Sequence, residues 1–182
     1  GVESEILDFT INFYSKESLI DYVIENSPTF VGFYAAAALK TKLIQYLEAL
    51  RKKLPDLKIL VGGPDIYDCG SYLDAGADAY CIGEGEKTIV ELLAYCRGEA
   101  SRASIKGIAY KENGRIIHTQ PRELIENLDT LPIPAWDKFD LNKYYDYHVF
   151  DMVRPYTSIM TSRGCPFRCA YCISHKIWKN KY

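Results

Sequence analysis

The chain has 182 residues, 48% hydrophobic and 25% charged, with a net charge of −2. That apolar share supports a packed core and excludes intrinsic disorder, while the small net charge gives no electrostatic reason to expect a nucleic-acid or anionic-membrane partner. No run approaches the roughly 18 apolar residues of a membrane span, and the first five residues lack the basic start and apolar stretch of a signal peptide.

Residues 6–13 (ILDFTINF) are β-branched and aromatic and read as a strand. Ser15 can cap a helix running to about Asn26, with Leu19, Ile20, Val23 and Ile24 at helical spacing. Residues 30–34 (FVGFY) form a short apolar run, as in a strand buried on both faces. Leu39, Leu43, Ile44, Leu47 and Leu50 then mark one side of a helix that ends before Pro55. Residues 58–61 (KILV) are a further buried strand leading into Gly62, Gly63 and Pro64. A short helix at 71–75, a strand at 79–82 (AYCI) and the turn Gly83, Glu84, Gly85, Glu86 follow. A helix over 87–97 turns Ile89, Leu92, Leu93 and Cys96 inward.

This alternation predicts an α/β fold with right-handed βαβ units and a parallel sheet. Two strands end in glycines, and open α/β sheets bind ligands beyond their strand carboxyl ends, although such glycines also serve as plain tight turns. Glu84 and Glu86 are explained by negative charge at a helix start. The run Arg51, Lys52, Lys53 reads as a solvated helix end, and His118 and His148 as isolated surface or packing residues.

Past Gly98 the pattern changes. Residues 105–110 and 115–119 flank Asn113-Gly114, which predicts a β-hairpin. Residues 120–156 are rich in Pro, Asp and aromatics and read as a linker packed by its own rings; 158–161 (SIMT) read as a new strand.

The six cysteines divide unevenly. Cys69, Cys81 and Cys96 are scattered and read as buried free thiols. Cys165, Cys169 and Cys172 fall within one short loop. A secreted disulfide framework would spread its cysteines, so reduced thiols, a cytoplasmic location and one metal-type cluster are expected. Three thiolates can hold three irons of a [4Fe–4S] cube and leave the fourth iron open for chemistry. The competing readings are a structural zinc site with His175 as fourth ligand, and three unliganded thiols.

The spacing C-x3-C-x2-C, with an aromatic residue before the last cysteine, resembles the radical S-adenosylmethionine (SAM) enzymes. The order VGFYAAA, ILVGGPD, AYCIGEGE, LPIPAWD and TSRGCPFRCAYC resembles their subgroup with a cobalamin (B12)-binding domain. The resemblance implies a flavodoxin- or Rossmann-like sheet over residues 1–100, a hairpin and linker over 101–157, and over 158–182 the start of a radical SAM TIM-type barrel. It implies Cys165, Cys169 and Cys172 as ligands of a [4Fe–4S] cluster that cleaves SAM reductively, and Tyr171 against the SAM adenine. A cobalamin pocket would be bordered by Ala35, Ala36, Ala37, Gly62, Gly63, Pro64, Gly83, Glu84, Gly85 and Glu86. The resemblance further implies an electron donor such as flavodoxin or ferredoxin, and methyl transfer or an oxidative rearrangement or cyclisation as the reaction.

Three departures qualify this resemblance. The first strand of the family domain and any Asp-x-His-x-x-Gly loop are not visible, Asp65 follows Gly-Gly-Pro where a histidine often stands, and Tyr182 comes ten residues after Cys172. The chain is therefore expected to be a piece of a longer enzyme, inactive alone and poor at assembling a cluster. A B12-like fold kept as a scaffold without cofactor, and a zinc-stabilised α/β binding module, are the alternatives.

Overall fold

The computed structural model describes residues 2–9, 11–12, 14–144 and 159–182. Three parallel strands form its centre: β1 (Phe30–Tyr34), β2 (Lys58–Gly62) and β3 (Ala79–Cys81). Two antiparallel strands, β4 (Ile108–Glu112) and β5 (Arg115–His118), continue the same sheet in the order β1-β2-β3-β4-β5. Asn113 and Gly114 take φ of 49° and 77°, the two positive values a tight two-residue hairpin turn needs. The hairpin pairs with β3, so the sheet runs past the boundary drawn at residue 100.

Each helix follows from its sequence. The Ser15 hydroxyl caps α1 (Lys16–Asn26) by accepting from the Ser18 amide at 3.1 Å. The helix α2 (Lys40–Lys53) stops ahead of Pro55, and α3 (Cys69–Asp74) is capped by Asp68, whose carboxylate accepts from the Ser71 amide. The helix α4 (Gly85–Cys96) begins directly after the glycine-rich turn. Strand alternation divides the core between the two faces of the sheet. Ile59, Val61 and Tyr80 pack with Leu19, Leu47 and Tyr72 of α1, α2 and α3, whereas Leu60 and Ala79 pack with Leu92 of α4.

Several expectations are corrected here. Residues 6–9 and 11–12 form no strand; Thr10 and Phe13 lie outside the described residues. A strand requires a neighbour along its backbone, and this segment instead borders a cavity while Phe9 packs against Tyr14 and Tyr46. Strand β1 is not buried on both faces: it is the sheet edge, and Tyr34 is 68% exposed. Leu39, Ile24 and Ile89 face solvent, while Tyr46 and Thr88 lie inside. Arg51 is half-buried while Lys52 and Lys53 stay exposed; it donates to the Gly76 carbonyl and pairs with Asp78 at 2.8 Å. Ile159–Met160–Thr161 form no strand, and among the described residues no strand lies beside them; Ser158, like His148, lies outside the described residues.

The linker carries only short 3-10 turns between residues 120 and 144, where Trp136, Phe139 and Tyr144 form a chain of ring contacts 6.2 and 6.3 Å apart. A short helix, α5 (Ser174–Trp178), follows the cysteine loop.

Candidate functional site

The carboxyl ends of β1, β2 and β3 meet at two glycine-containing turns. In the first, the Ala35 amide donates to the Gly62 carbonyl at 2.7 Å, and the Asp65 amide donates to the Ala35 carbonyl at 3.3 Å. Gly63 has a φ of +142°, and a Cβ there would stand 2.3 Å from the Ala35 oxygen, so only glycine permits this approach. Asp65 is buried, and its carboxylate accepts from the Tyr72 hydroxyl at 2.6 Å. The Tyr80 hydroxyl donates to the Asp65 carbonyl at 2.8 Å, and the Tyr72 and Tyr80 rings stack at 5.6 Å. Burial raises both phenols well above their ordinary range, with the Asp65 hydrogen bond adding to the effect at Tyr72. Both therefore stay protonated donors that hold the turn closed.

The second turn places negative charge at the start of α4, as expected, and adds partners that the helix dipole does not require. Glu86 does sit in the first turn of α4, but the Glu84 side chain makes no capping bond to that helix. Glu84 is buried; one carboxylate oxygen accepts from the Ile125 amide at 2.5 Å and the other from Arg163 at 2.8 Å. Arg163 also pairs with Glu86. These bonds draw the linker and the cysteine loop onto the end of β3. Nothing in the local sequence pairs Arg163 with this turn.

Cys165 and Cys172 are half-buried and Cys169 is exposed, all as free thiols, and a turn places the Cys172 amide 3.0 Å from the Cys169 carbonyl. Among the described residues, no three His, Cys, Asp or Glu side chains stand close enough together to hold a metal ion. The donor chemistry suits an iron–sulfur cluster, but the sulfurs are not gathered around one point. Tyr171 is 93% exposed. His175 is half-buried, and its Nδ1 is buried without a hydrogen-bond partner. Among the domain cysteines, Cys69 is fully buried while Cys81 and Cys96 are half-buried. Burial pushes all three thiols up, Cys96 to about 11.

A cavity of about 1050 Å³ runs along the free edge of β1 between residues 2–9 and the helices α1 and α2. Neither Gly62, Gly63 and Pro64 nor Gly83 to Glu86 line it. No described helix is long and apolar enough to cross a membrane.

A family model described as the B12 binding domain matches residues 1–93, and the chain belongs to that family. The chain is 42% identical, over 53% of its length and 20% of the relative's, to an uncharacterised methyltransferase of Pyrococcus horikoshii. Over 98% of its length it is 28% identical to the anaerobic magnesium-protoporphyrin IX monomethyl ester cyclase of a Synechocystis strain, covering 36% of that enzyme. Its fold matches the radical SAM methyltransferase TsrM of Kitasatospora setae, solved with cobalamin and a [4Fe–4S] cluster bound. That match has a TM-score of 0.69 at 21% identity, over 96% of this chain and 36% of that one. The chain thus spans about a fifth to a third of the proteins it resembles.

Proposed function

We propose that this chain is part of a radical SAM enzyme in which the α/β domain takes cobalamin at the strand carboxyl ends and the cysteine loop carries a [4Fe–4S] cluster. The observation that carries the reading is the junction at Glu84. One chain joins a B12-binding domain to a three-cysteine loop, and Glu84 and Glu86 hold that loop beside the carboxyl end of β3. In this reading Gly62, Gly63 and Pro64, with Gly83, Glu84, Gly85 and Glu86, border the cobalamin, and the exposed ring of Tyr171 is free to lie against SAM. Cys165, Cys169 and Cys172 would be the cluster ligands. The bound groups supply the chemistry: the cluster delivers an electron to SAM, and cobalamin can carry a methyl group. The protein's own part is to place the two sites near each other and to keep water from them. The sulfurs must first draw together, so no step of the reaction is assigned to their present arrangement.

An electron donor of the flavodoxin or ferredoxin kind and a cytoplasmic location belong to the same reading. The relatives are named as methyltransferases and as a cyclase, and both reaction classes fit. The deciding experiment is anaerobic turnover of the whole enzyme with methyl-labelled SAM. Label in the product establishes methyl transfer; an unlabelled, oxidised product establishes rearrangement or cyclisation. A colourless protein that binds zinc and no iron would overturn the reading.

One observation favours a scaffold role for the α/β domain. Asp65, Tyr72 and Tyr80 close the first glycine turn on itself, and the large cavity lies elsewhere. Absence of a cobalamin absorption band from the whole protein after incubation with hydroxocobalamin would establish that role.

A further inference from the structure

Glu84 is the point where three distant parts of the chain converge. Its side chain is 3% exposed, and both of its oxygens have partners from outside its own turn. A carboxylate this deeply buried is costly to hold without a cation and further donors. Arg163 supplies the cation and the Ile125 amide the second donor. The guanidinium fork of Arg163 reaches two separate carboxylates, with one nitrogen on Glu84 and another on Glu86. A lysine, a point charge whose three donors share one nitrogen, has no such fork. A helix-dipole role for these glutamates would need none of these partners.

Arg163 is also held on its other side. Its guanidinium lies 5.8 Å from the centre of the Trp178 ring. Gly164 has a φ of +89°, and a Cβ there would stand 2.0 Å from the Lys181 carbonyl oxygen. The backbone therefore passes directly under the Trp178–Lys181 turn, which is closed by a 2.9 Å hydrogen bond. Cys165 is the next residue, so whatever fixes Arg163 and Gly164 fixes where the cysteine loop begins.

We propose that Glu84, Glu86 and Arg163 are positioning residues that latch the cysteine loop to the carboxyl end of β3 and so set where the three thiols stand relative to the cofactor end of the sheet. The proposal rests on the reading of Cys165, Cys169 and Cys172 as cluster ligands. It gives the Gly-Glu-Gly-Glu turn a task other than lining a pocket: joining the two cofactor sites. The Glu84–Ile125 bond extends the latch to the linker, so domain, linker and loop share one buried carboxylate.

Thiol alkylation read by mass spectrometry tests the latch on the chain, with Cys69 as an internal check on folding. In Arg163→Gln, labelling of the half-buried Cys165 and Cys172 should speed up by about tenfold, the size expected for losing charge-assisted hydrogen bonds, while Cys69 stays slow. Arg163→Lys, which keeps the charge without the fork, should fall between. The double variant Glu86→Gln/Arg163→Gln should be no faster than Arg163→Gln alone, an outcome that independent packing losses would not give. Amide exchange at Ile125 should rise by about tenfold in Glu84→Ala and stay unchanged in Glu86→Gln.

Unchanged labelling of Cys165 and Cys172 in Arg163→Gln, with Cys69 protected, overturns the latch. If Cys69 also becomes reactive, the variant has unfolded, and Glu86→Gln decides by the same comparison, since Glu86 is partly exposed and its loss leaves Glu84 paired. Anaerobic iron and sulfide reconstitution of the whole protein separates the two ideas. No iron uptake by the wild type, with faster labelling in Arg163→Gln, overturns the cluster reading and leaves the latch. Iron uptake with unchanged labelling overturns the latch and leaves the cluster.

Discussion

From Lys16 to His118 the chain buries Leu19, Leu47, Ile59, Tyr72, Tyr80 and Ile108 almost completely, and these residues fill both faces of one sheet. Beyond His118, Ile125 is the only buried hydrophobic residue among the described ones. There, Ile133, Ile159, Met160, Phe167 and Tyr171 all face solvent. The first region is held by apolar burial, which is strong and non-directional. The second is oriented on the first by directional contacts: Arg163 on Glu84 and Glu86, the Ile125 amide on Glu84, and Arg122 on Glu91. Burial makes a domain rigid as a whole, whereas a few polar bonds place a loop without giving it a core. If the three cysteines hold a cluster as proposed, a loop placed in this way is free to draw its sulfurs together.

The comparison breaks most directly through stability. Leu47→Ala should lower the unfolding free energy by about 2–5 kcal/mol in urea titration, since it empties a fully buried site. Ile133→Ala, at a site 84% exposed, should stay within about 0.5 kcal/mol of wild type. Equal losses at the two sites would mean that the linker has a core of its own.

Thiol chemistry sharpens the contrast. At pH 8 the exposed Cys169 should alkylate first, and Cys96, its thiol pushed up to about 11 by burial and by the charge of Asp78, about a hundredfold more slowly. Comparable rates, measured by peptide mass spectrometry, would show that the domain opens as readily as the loop.

The smallest effect is electrostatic. Hydrogen bonds from Lys40 and then Ser71 lower the Asp68 carboxyl to about 2. A lowered carboxyl contributes stability above its unfolded value, near 4, and loses it as the pH falls towards 2. Asp68 is part exposed, so the loss should be under about 1 kcal/mol. Asp68→Asn keeps an N-cap oxygen but cannot titrate, so its stability should fall less steeply than wild type across that window in acid titration followed by circular dichroism.

Much of the fold was legible in local pattern. Ser15, Pro55 and the Asn113-Gly114 pair marked boundaries because capping, ring closure and positive φ act within a few residues. The alternation of apolar strands and amphipathic helices announced the βαβ order for the same reason. What failed were statements about neighbours. Residues 6–9 and 11–12 have strand composition but join no strand of the sheet, and FVGFY reads as a central strand but lies at an edge. A run of residues does not record which strand lies beside it. The three-cysteine loop was legible because its spacing is local, but the convergence of its sulfurs is not a property of spacing.

By itself the sequence determined the α/β class, the helix caps, the hairpin turn and the chemistry of the donor set at Cys165, Cys169 and Cys172. Each of these is fixed by residue type and by separations of a few positions. Only the tertiary structure decided that the hairpin extends the sheet, that Asp65 closes against Tyr72 and Tyr80, and that Arg163 lands on Glu84 and Glu86. Arg163 lies 79 and 77 residues from those two carboxylates. A contact over that separation forms only once the intervening chain has folded back, and no local preference encodes it.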